Sequence, residues 1–129
     1  QSDWNQADNA QPDFIKNKPS VFNLLLQGSL DGIDPGGAGA IGNVGGDITS
    51  ASILNSAADD MRIRVNFSSI GTSNYHPIIT LLSEDANWDN DNDVYIMVRN
   101  LTPTSFEVLF KEEAPNVQDL KLLISVIPF

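Results

Sequence analysis

The chain has 129 residues, carries 7 Lys and Arg against 17 Asp and Glu for a formal net charge of −10, and contains no cysteine. That length predicts one domain with a single core. Disulfides and cysteine-based zinc sites are excluded, and so acidic a chain argues against nucleic acid and anionic membrane surfaces as partners.

Residues 3–19 read DWNQADNAQPDFIKNKP. They hold Trp4, Phe14 and Ile15 but no helical or strand periodicity, and Pro12 and Pro19 disfavour helix. We expect 1–19 to be an extended connector or docking segment whose three apolar side chains pack against the head or a neighbouring subunit. Residues 20–129 would form the head. The N-terminus shows no basic region followed by an apolar one, so no signal peptide is visible and the chain reads as a mature product or a fragment. No apolar run approaches the length of a membrane span, so membrane insertion is not expected.

The run SVFNLLLQGSL (20–30) predicts a strand ended by Gly28. DGIDPGGAGAIGNVGG (31–46) has the composition of a surface loop. Within it GAGAIG (37–42) matches G-x-G-x-x-G, but glycines follow where a helix should start and strands follow after that, so a dinucleotide site is not expected. Glycine there would also suit close approach of chains at a symmetry axis. Residues 47–60 are ambiguous between strand and a helical turn, with strand favoured for the first half. MRIRVNF (61–67) alternates apolar and polar residues with the period of a half-buried strand. Residues 68–77 read as a turn cluster, 78–84 as a strand, 85–93 as a loop, and 94–101 and 105–112 as strands joined by a Pro-containing turn. In the final strand, 120–129, Leu120, Leu122, Ile124 and Val126 share one face while Leu123, Ile127 and Phe129 share the other. A strand apolar on both sides is central or covered. Subunit contact through Leu123, Ile127 and Phe129 is the favoured expectation, and cover by the opening segment is the alternative. The fold class expected is all-β: an antiparallel β-sandwich of six to eight strands.

The chemically richest stretch is DANWDNDND (85–93). Asp85, Asn87, Asp89, Asp91 and Asp93 fall at alternate positions, a spacing that suits a hard cation, with Asp89, Asp91 and Asp93 as the candidate ligands. Asn90 stands where an EF-hand needs Gly and Ile96 where it needs Glu, so that motif is excluded. A structural cation outside the EF-hand pattern and a solvated turn with Asx side chains bonded to their own backbone are the two remaining readings. No other cofactor is expected. Trp88 among Asp and Asn suits a sugar, with the ring on a pyranose face and the polar groups on hydroxyls. Folding back as a lid over the sandwich end is its equal alternative. Tyr75 and His76 form a second, weaker candidate pair in a turn. Asp59/Asp60 and Glu112/Glu113 read as solvated charge clusters. With one histidine and no carboxylates placed across a cleft, no enzyme activity is expected.

Two regions resemble bacteriophage fibre proteins. Residues 3–19 are similar to a D-W-N-Q-x-D…P-D-[FY]-I-K-N-K-P segment that precedes β-rich modules there. NWDNDNDVYIMVRNLTPTSFEVLFKEE with QDLKLLISVIPF is similar to terminal tail-fibre modules that end on a strand closing in Ile-Pro. The resemblance implies a homotrimeric virion fibre component with a β-sandwich head, assembled in the bacterial cytoplasm, and nothing catalytic. The expected function is a tail-fibre tip attaching to a bacterial surface glycan, with Trp88, Asp89, Asp91 and Asp93 as contacts and Tyr75 and His76 behind them. The alternatives are a head-fibre or decoration protein docked on another virion protein, and a non-catalytic carbohydrate-binding module.

Overall fold

The computed structural model describes residues 24–35, 41–56, 60–113 and 117–129. The connector with Trp4, Phe14 and Ile15 lies outside the described residues, as do Asp59 and residues 36–40 of the Gly-rich loop.

Among the described residues, eight antiparallel strands form two four-stranded sheets. They are β1 (Leu26–Ile33), β2 (Val44–Gly46), β3 (Ile48–Ser56), β4 (Asp60–Phe67), β5 (Tyr75–Ser83), β6 (Val94–Thr102), β7 (Ser105–Glu112) and β8 (Leu120–Pro128). One sheet has the order β2-β1-β8-β5 and the other β3-β4-β7-β6. The antiparallel sandwich expected from the strand pattern is what the chain forms.

Alternation builds the core. Met61, Ile63, Val65 and Phe67 on β4 and Phe106, Val108 and Phe110 on β7 are buried. They face Leu120, Leu122, Ile124 and Val126 of β8 and Leu26, Leu30 and Ile33 of β1, all in one cluster. Full burial of each such side chain contributes about 1.5–3 kcal/mol before entropy is counted. Phe67 lies between Phe106 and Tyr75, with ring centroids 5.8 and 6.3 Å away. The Tyr75 hydroxyl reaches the carbonyls of Thr102 (2.8 Å) and Ser105 (3.0 Å), so one side chain of β5 fastens the β6–β7 turn of the opposite sheet. In that turn Thr102 Oγ1 accepts from the Thr104 and Ser105 amides.

Several sequence-based expectations are corrected. The Gly-rich segment is not loop throughout, because β2 pairs Val44–Gly46 with Leu30–Gly28 of β1. The glycines serve this close pairing: a Cβ on Gly28 would lie 2.5 Å from Ile48 and one on Gly46 would lie 2.5 Å from the Gln27 carbonyl. Gly46 also has a φ of 61°, and directly after it the chain passes at Asp47 into β3 of the other sheet. The described end of GAGAIG leads into strand, and Gly42 donates to the Asp31 carbonyl at 2.7 Å. Residues 48–56 are all strand. Tyr75, His76 and Pro77 belong to β5 rather than to a turn. Proline is tolerated there because β5 is an edge strand. Glu112 is not solvated: it continues the inward-facing set of β7 and is buried, while Glu113 is exposed.

Candidate functional site

The loop between β5 and β6 crosses from one sheet to the other. Its middle is a 3-10 turn, Trp88–Asn90, whose preceding residue Asn87 accepts from the Asp89 amide. Asp85 accepts from the Asn87 amide at 2.8 Å, so short polar side chains replace the missing main-chain ladder. Trp88 is 65 % exposed, which rules out the lid arrangement.

The aspartates of this loop have separate fates. Asp91 is buried. It accepts from the Ser83 hydroxyl, from the Asp85 amide and, through its other oxygen, from the Asp119 amide at 3.2 Å. Those donors tie the loop to the end of β5 and the start of β8, so Asp91 is an internal anchor and not a contact for a ligand. Asp93 accepts from Gln118 Nε2 at 3.3 Å, and Gln118 in turn donates its amide to Asp34. Asp89 remains exposed beside Trp88 and accepts from Asn92. The structure therefore does not gather Asp89, Asp91 and Asp93 as a ligand set. Among the described residues no three His, Cys, Asp or Glu side chains converge as metal ligands.

Tyr75 and His76 point to opposite sides of β5. Tyr75 is buried and its hydroxyl is committed to the β6–β7 turn, so it is not a ligand contact. Burial pushes its pKa up, partly offset by the hydrogen bond to Thr102. His76 lies on the outer face and stacks on Phe129, with ring centroids 4.4 Å apart and planes inclined by 12°. Phe129 is 77 % exposed and Leu123 is exposed, while Ile127, which pairs with His76, is half-buried. With Ile78 and Leu82 of β5 they form an apolar patch on the outer face of this sheet, interleaved with Thr80, Lys121 and Ser125.

The opposite outer face differs in kind, and sequence reasoning missed it. Arg62 and Arg64 of β4, Arg99 of β6 and Lys111 of β7 all stand on it. The pairing register aligns Arg64, Glu107 and Arg99 in one row and Asp60, Lys111 and Tyr95 in another. Glu107 is buried at its centre. Its Oε2 accepts from Asn100 Nδ2 at 2.7 Å, and its Oε1 lies 3.4 Å from Arg99 Nε and 3.8 Å from Arg62 Nε. The Asn100 hydrogen bond and the two guanidiniums outweigh desolvation and hold its pKa below the usual glutamate value. Asn100 reaches it from a left-handed position, φ 55°, where the β6–β7 register shifts. Lys111 pairs with Asp60 at 3.2 Å.

A groove of about 500 Å³ runs across this face, bordered by Tyr95 and Met97 of β6, Leu109 of β7, Arg62 and Arg99. Tyr95 and Met97 are 61 % and 65 % exposed. The signal was present in the sequence as Arg62 and Arg64 alternating with apolar residues, and as Tyr95, Met97 and Arg99 doing the same.

Among the described residues no helix is long and apolar enough to cross a membrane. No protein-family model matches the chain, and neither curated proteins nor solved structures include a match.

Proposed function

We propose that the chain is a non-catalytic attachment module: the β-sandwich head of a bacteriophage-type fibre, with Trp88 contacting a bacterial surface glycan. The observation that carries this reading is Trp88 itself, 65 % exposed on a loop whose base is anchored by the buried Asp91. A large aromatic held out into water on an ordered rim is suited to stack on a pyranose ring, with Asp89 and the neighbouring Asn side chains available to hydroxyls. In a homotrimer carried on a virion, three weak sites would act together through effective concentration. Replacing Trp88 by Ala should reduce adsorption of particles to host cells while leaving the mass of the assembled protein unchanged. Unchanged adsorption would remove the glycan role from this rim.

A second reading is favoured by the apolar outer face of β5 and β8. A structural head-fibre or decoration protein would bury Leu123, Ile127 and Phe129 against further copies or against another virion protein, and would need no receptor. Sedimentation of the Leu123→Asp variant separates the two: an intact assembly speaks against this face as the contact.

A further inference from the structure

We propose that the groove across β4, β7 and β6 is a binding site for an acidic saccharide chain, on a surface distinct from the Trp88 rim. The choice of a saccharide rests on the reading of the chain as a glycan-binding head; the site and the sign of its ligand do not.

The first support is charge. The chain has a formal net charge of −10 and only seven Lys and Arg, of which Arg62, Arg64, Arg99, Lys111 and Lys121 are described. Four of these five share this one face. Against them, among the described residues, the face sets Asp60 and Glu107, so its described charges sum to a positive value on an acidic protein. Such concentration of one sign draws in ligands of the other.

Geometry is the second. Glu107 meets Arg99 and Arg62 at their Nε atoms. Among the described residues neither guanidinium makes a hydrogen bond through its terminal amino groups, and both side chains are more than a third exposed. A buried, ionised carboxylate thus holds the Arg99 fork in place from below, with the Arg62 guanidinium 3.8 Å away, while the outer edges of both remain open to a second anion, the pairing guanidinium suits best.

Apolar shape comes third. Beside these forks stand the exposed ring of Tyr95 and the side chain of Met97, with Leu109 between the strands. The volume, about 500 Å³, suits a few linked sugar rings. An aromatic face for C–H groups, cations for acid groups, and Asn55 for hydroxyls are the three contacts such a ring offers. An added peptide strand would instead use the open edges of β3 or β6, because main-chain groups within the face are consumed by sheet pairing.

The test uses the full chain and oligogalacturonate as probe, followed by calorimetry and by amide chemical shifts. The fully methyl-esterified oligomer of the same length and poly-glutamate serve as controls. Expected are binding that weakens with added salt, shifts at Tyr95, Met97 and Lys111, and a loss of about tenfold or more in Tyr95→Ala and in the Arg99→Gln/Lys111→Gln pair. Lys121→Gln, which removes a described cation of the other sheet, should bind this probe like the parent, which ties binding to this face rather than to net charge. Circular dichroism of each variant establishes that it is folded, and Tyr95→Ala, which removes only an exposed ring, keeps the test open should the charge variant unfold. Equal binding of the esterified oligomer, equal binding of poly-glutamate, no binding of oligogalacturonate, or loss of binding in Lys121→Gln would each overturn the proposal. So would a drop in sedimentation mass in Tyr95→Ala, which would make the groove a contact between copies.

Discussion

On the outer side of the β2-β1-β8-β5 sheet stand Ile78, Leu82 and Leu123, closed at one end by the His76–Phe129 stack. On the outer side of the β3-β4-β7-β6 sheet stand Arg62, Arg64, Arg99 and Lys111 around the buried Glu107. The inner sides of the two sheets are alike, each an alternating set of Ile, Leu, Val and aromatic residues in one core. Burial leaves an inner face little freedom, since polar groups there are costly. An outer face in water tolerates either kind of residue, so a departure from the ordinary mixed surface carries the functional information. One face carries an apolar patch, and the other gathers four of the five described cations.

The largest expected difference lies within a single strand. Ile124→Ala should cost about 2–5 kcal/mol in urea unfolding, because it opens a cavity in the core. Leu123→Ser, one residue earlier on the outer face, should stay within about 0.5 kcal/mol in a monomer. If Leu123→Ser proves as costly as Ile124→Ala, the apolar face is covered in solution and the contrast between the two outer faces is one of buried against open.

The two faces are joined through the β5–β6 loop, and Asp91 is its anchor. Asp91→Ala would leave the Ser83 hydroxyl and the Asp85 and Asp119 amides without their acceptor, at a cost of about 1–3 kcal/mol. Hydrogen exchange at the Asp85 and Asp119 amides should speed up more than exchange in β4 or β7. Uniform acceleration would mean that the loop is no separate unit.

The smallest effect concerns the charged face and pH. The folded-state pKa of Glu107 is depressed, so its contribution is present in full above the ordinary glutamate value of about 4.3 and is lost as pH falls through the lower folded value. Thermal unfolding followed downward from pH 5 should therefore show a shallower decline for Glu107→Gln than for the parent protein. Parallel curves would show that the arginine pairs and Asn100 do not stabilise the ionised form.

Much of the fold is legible in the residues because strand alternation is a local property. Met61 to Phe67, Phe106 to Phe110 and Leu120 to Val126 each announce a strand and its inward face, and DANWDNDND announces the break between two of them. The sites are less legible for a physical reason. Asp89, Asp91 and Asp93 are the same residue at the same spacing, yet one is exposed, one is the buried anchor and one pairs with Gln118. In an irregular loop spacing does not set direction, and the donors that decide each fate come from β5 and from the segment before β8. Tyr75 looked like a surface partner for His76, but the carbonyls it reaches belong to a turn of the other sheet.

By itself, then, the sequence determined an acidic, cysteine-free, all-β domain, the faces of its strands and the apolar character of both sides of β8. Only the tertiary structure decided that Arg62, Arg99, Asn100 and Glu107 meet, and that Tyr95 and Met97 border a groove beside them. The register of β4, β7 and β6 brings together charges that no local pattern links, because hydrogen-bonded strands make neighbours of residues far apart along the chain.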